Sequence, residues 1–178
     1  MSTLNIQTRW YAVQTKSNFE KLVTRELSAK GIENYCPTLG ELHQWADRKK
    51  AVHRPVFPGY VFARFVDVGA TRQVVRQTSG AVRILGTSEK IEPVPDAEID
   101  SIQRLLKSGH SCFSHPFRQE GMLVRVMRGA LKDVEGKLVR VKNQTRLVLS
   151  VNLLCNSIAV EVDASNVEAV RTSFPPLA

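Results

Sequence analysis

The sequence has few cysteines and no long apolar run. Its three cysteines, Cys36, Cys112 and Cys155, are far apart and odd in number, which argues against a disulfide framework and favours reduced thiols. No apolar run approaches the roughly 20 residues that a membrane-spanning helix needs. The polar stretch from Met1 to Arg9 lacks the apolar core of a signal peptide. We therefore expect a cytoplasmic protein that does not associate with a membrane.

The sequence also lacks a recognisable catalytic motif. It has no glycine-rich phosphate loop and no strong spacing of a nucleophile and a base. His110, Cys112 and His115 place three metal-ligating side chains close together, but no second cysteine pair accompanies them. A solvated linker is therefore favoured over a metal site. We predict a protein that is not an enzyme and that needs no cofactor or metal.

Acidic side chains are outnumbered by basic ones. The 178 residues carry 25 lysines and arginines against 17 aspartates and glutamates, a formal charge of +8. Such a balance favours a polyanionic partner, most often nucleic acid or a nucleoprotein machine, although solubility alone is the alternative. The length allows one domain or two small ones, and an apolar fraction of 43% is enough for folded cores.

The first part of the chain alternates short strands with short helices. The predicted elements are a strand at 10–14, a helix at 17–30, strands at 32–39 and 57–65, a helix at 70–78, a strand at 82–85 and a helix capped by Asp96. Ser17 and Glu20 have the spacing of a capping box. The basic, aperiodic segment Glu41–Pro55 is predicted to be a hairpin tip or a mobile loop. This order predicts an α+β fold, a sandwich with a mainly antiparallel sheet, over residues 7–107.

The rest of the chain has a different sequence pattern. Residues 108–119 contain Gly109, Pro116 and three serines without an apolar period, and are predicted to be a linker. From residue 120 to 173, short β segments alternate with glycine turns, which predicts a small closed β-barrel. Many of its residues are β-branched, so we expect a stable barrel with no helical alternative.

One predicted strand is apolar on both faces. After the turn at Pro58 and Gly59, alternation places Val61, Ala63 and Phe65 on one face and puts Tyr60, Phe62 and Arg64 on the other. Such a strand either lies between two layers or offers one face to a partner.

These motifs together resemble the NusG family. The first half carries the resemblance in Trp10–Gln14, in the Ser17–Glu20 helix start, in Phe57-Pro58-Gly59-Tyr60 and in Gly86-Thr87-Ser88 followed by Glu92–Pro95. The second half is similar to a KOW domain at Gly121–Val126, Gly129–Gly136, Val160–Asp163 and Asn166–Glu168. The order matches the family across Arg9–Arg171. The segment Gln44–Lys50 is more similar to the specialised paralogues of the RfaH, LoaP and UpxY type than to housekeeping NusG.

The resemblance implies a transcription elongation factor that binds RNA polymerase. In the family, an apolar patch of the first domain binds the clamp helices of the largest subunit. Carried over to this sequence, the patch comprises Phe57, Pro58, Gly59, Tyr60, Phe62 and Ile84. Thr71 lies where the family contacts the gate loop of the second-largest subunit. The alternative for Tyr60 and Phe62 is that both fill a core.

The resemblance also implies further partners. Non-template DNA is a candidate for the basic residues Lys16, Lys21, Arg25, Arg72 and Arg76, whose contacts would be mostly to phosphate; their alternative is a solvated helix face. The KOW domain would bind the termination factor Rho or a small-subunit ribosomal protein. The residues expected to make that contact are Leu131, Val134, Leu153 and Leu154.

Three functions remain open from the sequence. The first is an operon-specific antiterminator that suppresses pausing or termination, acting as a monomer. The second is a housekeeping NusG-like factor for pausing and Rho-dependent termination. The third, from a different class, is a ribosome-associated protein whose KOW barrel binds rRNA.

Overall fold

A computed structural model of the chain describes residues 7–44, 49–87, 90–110, 112–116, 122–141, 144–151, 154 and 156–170. The chain forms two compact units. The first comprises Met1–Asp100 with Val151–Leu154, and the second comprises Ser101–Ser150 with Cys155–Ala178.

The first unit is built on a five-stranded antiparallel sheet. Its strands and helices, in chain order, are β1 (Thr8–Thr15), α1 (Glu20–Ala29), β2 (Glu33–Tyr35), β3 (Thr38–Gln44), β4 (Lys49–Pro55), β5 (Tyr60–Val66), α2 (Gly69–Arg76), β6 (Ala81–Ile84), β7 (Pro93–Val94) and α3 (Asp96–Lys107), the last of which continues beyond the unit. The sheet has the order β2-β5-β1-β6, and β7 pairs with β1. This architecture confirms the predicted α+β fold with an antiparallel sheet.

Helices α1 and α2 cover one face of this sheet. Val23 and Leu27, one helical turn apart on α1, are buried with Val75 of α2. They pack against the alternate residues Tyr11 and Val13 of β1, and the same cluster contains Val61, Ala63, Phe65 and Ile84. Alternation along β1 and β5 thus places one complete set of apolar side chains in this core.

The start of α1 differs from the prediction. The helix begins at Glu20, its N-cap is Phe19, and no side chain caps it. Asn18 has a φ of +63°, a left-handed conformation that separates Ser17 from the helix. The predicted capping box between Ser17 and Glu20 is therefore wrong, and the Glu20 carboxylate is free to bind elsewhere.

Segment Glu41–Pro55 is mostly strand, which fits the predicted hairpin better than the alternative of a mobile loop. β3 and β4 pair from Thr38 with Pro55 to Gln44 with Lys49 and form a separate two-stranded sheet. The strand predicted at 32–39 is divided into β2 and β3 at Pro37, which has no N–H to donate. Residues 45–48, with Trp45, Asp47 and Arg48 from the paralogue-like segment, lie outside the described residues.

The second unit consists mainly of one antiparallel sheet. Its strands are β8 (Cys112–Pro116), β9 (Met122–Val126), β10 (Glu135–Val141), β11 (Gln144–Val151), β12 (Asn156–Glu161) and β13 (Val167–Ala169). They lie in the order β13-β9-β10-β11-β12-β8. A short 3-10 helix, Ala164–Asn166, precedes β13. Among the described residues from 112 to 170 there is no α-helix, and the closed barrel itself remains a prediction.

The predicted linker contains a strand. β8 pairs with β12 from Cys112 with Val160 to Pro116 with Asn156. The paired residues lie at least 40 positions apart along the chain, so no local pattern could reveal the pairing. At least Cys112–Pro116 therefore belongs to the second sheet, and the linker prediction is wrong for these residues.

Candidate functional site

The turn before β5 is held by backbone hydrogen bonds on both sides. Val56 N donates to Pro37 O at 2.8 Å, and Tyr60 N donates to Phe57 O at 3.1 Å. Gly59 O accepts a hydrogen bond of 2.8 Å from Thr15 N on β1. Gly59 has a φ of +81°, which residues with a side chain rarely adopt. Sequence and geometry therefore agree that glycine is needed at this position.

A buried carboxylate completes the turn. Gly59 N donates a hydrogen bond of 2.7 Å to Glu20 Oε1. Glu20 is only 5% exposed, although it lies in the first turn of α1. Both backbone polar groups of Gly59 are therefore bound, one by a neighbouring strand and one by a helix.

Tyr60 lies in a row of side chains across the sheet. In the strand register, Gln14 of β1 is opposite Tyr60 on one side and opposite Arg83 of β6 on the other. Registered partners in an antiparallel sheet share a face. Arg83 is exposed, and its Nε donates to Gln14 Oε1 at 2.8 Å.

The residues of this row and of the turn form one surface, which we name the Tyr60 strip. It consists of Gln14, Pro58, Gly59, Tyr60 and Arg83. Pro58 is exposed, and Tyr60 is half-buried. The strip therefore offers an aromatic side chain flanked by an amide and a guanidinium.

Three residues expected in the apolar docking patch are instead buried. Phe57 is 1% exposed and Phe62 is 0% exposed, and their rings meet edge to face with centroids 5.7 Å apart. Ile84 pairs with Val13 and is buried in the core under α1 and α2, on the sheet face opposite Tyr60. The expectation that these side chains form an exposed patch is corrected, because Phe57 and Phe62 pack against each other and Ile84 belongs to the core under α1 and α2.

Four of the five predicted basic residues lie on the helices α1 and α2. Lys16, at the end of β1, and Lys21, Arg25 and Arg76 on the helices are exposed. Arg25 Nη2 lies 3.8 Å from Glu26 Oε1. Because α1 and α2 cover the face opposite Tyr60, the exposed helical cations are separated from the Tyr60 strip by the sheet.

Arg72 differs from the other cations. Its Nη2 donates to Asp67 Oδ2 at 2.8 Å, and its Nε donates to the other carboxylate oxygen. Hydrogen bonding to Asp67 raises the pKa of Arg72. Arg72 is thus committed to an ion pair, which weakens its expected role as a phosphate contact. The adjacent Thr71 is half-buried on α2.

The leucines and valine expected to bind a KOW partner are mostly interior. Leu131, Val134 and Leu154 are buried, while Leu153 lies outside the described residues. Val134 N donates to Leu131 O at 3.0 Å, which closes the turn before β10. The expectation of exposed contacts at these three positions is corrected. The exposed apolar residues of this unit include Met122 and Met127, which sequence reasoning did not single out.

The described thiols, Cys36 and Cys112, are not activated, and Cys155 lies outside the described residues. Burial, followed by the charge of Glu20, raises the pKa of Cys36 to about 11, so its thiol is a poor nucleophile. Cys112 donates through Sγ to His110 O at 3.3 Å, and His110 Nδ1 lies 2.8 Å from Ser108 Oγ. No group of three metal-ligating side chains occurs in the described part of the chain. In the same residues, no helix is both long enough and apolar enough to cross a membrane.

Comparisons with known proteins give a consistent result. Residues 8–103 match the family described as transcription termination factor nusG. The chain is 31% identical over 172 residues to the transcription termination/antitermination protein NusG of Yersinia pestis, covering 90% of this chain and 95% of that protein. It is 30% identical over 174 residues to the protein of the same name from Pseudomonas aeruginosa, covering 91% and 98%.

A solved structure, titled "Domain interaction in Thermotoga maritima NusG", has a similar fold. Its TM-score is 0.56 at 21% sequence identity, and the match covers 93% of this chain and 98% of that chain. At this identity the likeness shows the fold alone.

Proposed function

The chain belongs to the NusG family, and from this premise we propose that it is a transcription termination/antitermination factor that binds RNA polymerase through the Tyr60 strip. It acts by binding and not by catalysis, as a monomer in the cytoplasm. The observation that carries the proposal is that Tyr60 stays partly exposed in a turn fixed by four hydrogen bonds, whereas the neighbouring Phe57 and Phe62 are buried.

The chemistry of the Tyr60 strip suits a protein partner. A tyrosine held in one orientation offers a large apolar surface with little entropy to lose, and such residues often dominate interface energies. Gln14 and Arg83 supply a polar rim beside it. The partner that we propose is the pair of clamp helices of the largest polymerase subunit, whose groove would receive the tyrosine ring. Thr71, on α2, is the proposed contact to the gate loop of the second-largest subunit.

The opposite side of the first unit is proposed to face nucleic acid. Lys21 and Arg25 are one helical turn apart on α1 and are both exposed. Contacts from such side chains to phosphates are salt-sensitive and carry little sequence information. Together with Lys16 and Arg76 they would hold the non-template strand while the Tyr60 strip binds the clamp. This arrangement would keep the clamp of RNA polymerase closed and suppress pausing of transcription.

The docking proposal is tested with Tyr60→Ala and the matched control Tyr60→Phe. We measure binding of the full chain to the polymerase clamp helices. The alanine variant should bind at least about tenfold more weakly, because truncating a central aromatic anchor costs on the order of 2 kcal/mol. The phenylalanine variant keeps the ring and should bind within about threefold of wild type. Unchanged binding of Tyr60→Ala would remove the Tyr60 strip from the interface.

A narrower role as an operon-specific antiterminator is supported by the segment Gln44–Lys50, which resembles the specialised paralogues. Transcription in vitro on templates with and without the chain's own upstream operon sequence distinguishes the roles. A specialist should increase read-through only when that sequence is present, whereas a housekeeping factor should act equally on both templates. Equal action would overturn the narrower proposal and leave the family role intact.

The second unit is proposed to recruit Rho or a small-subunit ribosomal protein. Since Leu131, Val134 and Leu154 are buried, exposed side chains must make the contact. Met122 is 62% exposed and Met127 is also exposed, and flexible thioethers suit protein interfaces.

A further inference from the structure

We infer that Glu20 is a positioning residue that holds the docking turn in its binding conformation, an inference that rests on the function proposed above. Glu20 lies on α1 and the turn lies at the start of β5, so the 2.7 Å hydrogen bond from Gly59 N joins two elements that are 39 residues apart. The sequence alone suggested helix capping for this residue, and the structure excludes that role.

The burial of Glu20 needs an explanation. Among the buried residues that the structure describes, the others with polar side chains are Thr15, Thr78 and Ser157, so Glu20 is the single carboxylate among them. Burying a carboxylate is costly unless a donor satisfies it. Here a backbone N–H does so, and hydrogen bonds to an ionised group are among the stronger ones. Because Glu20 lies in the first turn of α1, its carboxylate also interacts favourably with the helix dipole.

The bond fixes the direction of the Tyr60 side chain. Glu20 holds the N–H of Gly59 and Thr15 holds its carbonyl, so the peptide groups on both sides of a glycine with φ +81° are fixed. Glycine otherwise moves readily among backbone conformations. Without the carboxylate, the turn would sample several states, and only a fraction would present Tyr60 correctly. The apparent affinity for the clamp helices then equals the intrinsic affinity multiplied by that fraction.

The test compares Glu20→Ala with Glu20→Gln in the full chain. Glutamine keeps an acceptor oxygen at the same reach, so its affinity for the clamp helices should remain within about threefold of wild type. Alanine leaves the Gly59 N–H without its acceptor and should weaken binding about tenfold, in line with the loss of a hydrogen bond to a charged group. Thermal unfolding identifies any variant that fails to fold. If Glu20→Ala does not fold, Glu20→Asp takes its place, because its carboxylate is one methylene shorter and should also lose the Gly59 N–H and bind more weakly than wild type.

A double variant separates positioning from general stability. If Glu20 acts through Tyr60, then adding Glu20→Ala to Tyr60→Ala should cause no further loss of affinity. An equal tenfold loss in both backgrounds would show that Glu20 supports the interface as a whole and would overturn the inference. Glutamine and alanine variants that bind equally weakly would also overturn it, because the acceptor would then be irrelevant.

Hydrogen exchange of the Gly59 amide tests the inference without polymerase. Exchange should be at least about tenfold faster in Glu20→Ala than in wild type, with Glu20→Gln close to wild type, because a protecting bond is lost. Equal exchange in all three proteins would overturn the inference. If instead Tyr60→Ala binds like wild type, the docking proposal fails, and the Gly59 exchange rate still decides whether Glu20 holds the turn.

Discussion

Phe62 and Tyr60 are two positions apart on the same face of β5, yet their environments differ. Phe62 is 0% exposed and meets Phe57 edge to face, whereas Tyr60 is half-buried. We expect Phe62→Ala to lower the free energy of unfolding by about 3–5 kcal/mol, the usual cost of removing a buried phenylalanine. Chemical denaturation followed by circular dichroism measures this.

The matched control for Phe62 is Val82→Ala on β6, a strand of the same sheet. Val82 is 53% exposed, so its truncation should change the free energy of unfolding by no more than about 0.5 kcal/mol. If Phe62→Ala left stability unchanged but weakened clamp binding, Phe62 would be an exposed anchor and its assignment to the core would be wrong.

At the scale of elements, the apolar patterns of neighbouring residues predicted the elements β5 and α1. The alternation after Gly59 predicted β5 and divided its residues correctly between two faces, because the period of a strand is a property of the backbone. The stripe of Val23 and Leu27 likewise predicted α1. The start of that helix was wrong, since the left-handed Asn18 is set by the turn against β6, where Lys16 N donates to Gly80 O.

β8 was missed because it depends on a distant partner. It contains serine and histidine and has the composition of a linker until β12 lies beside it. The hydrogen bonds join segments at least 40 residues apart, so no local pattern shows the pairing. The β3–β4 pair is different, because its strands are neighbours along the chain and pair up to Gln44 with Lys49. A hairpin tip was one of the two predictions for this segment, but its strands were not predicted because neither has an alternating apolar pattern.

At the scale of the whole molecule, the candidate site was predicted in part. Pro58, Gly59 and Tyr60 are contiguous, so the turn and its aromatic residue can be seen in the sequence. Arg83 could not be found, because its place beside Gln14 depends on the antiparallel pairing of β1 with β6. Glu20 was visible but assigned the wrong role, since its acceptor function becomes apparent only when Gly59 is 2.7 Å away.

The excess of basic side chains is a property of the whole molecule. Its distribution predicts how the affinity for single-stranded DNA depends on salt concentration. For single-stranded DNA, each phosphate contact contributes about 0.7 to the slope of log affinity against log salt. Replacing the exposed Lys21 and Arg25 by glutamine should therefore lower that slope by about 1.4. The slope is measured by titrating the full chain with single-stranded DNA at salt concentrations from low to physiological. Arg72→Gln is the comparison variant, because Asp67 already pairs with this guanidinium, and it should change the slope by less than a single exposed cation does. A slope that is unchanged in the Lys21 and Arg25 variant would mean that α1 does not face the DNA. A slope that falls only with Arg72→Gln would place the nucleic acid against α2, where it would have to displace Asp67.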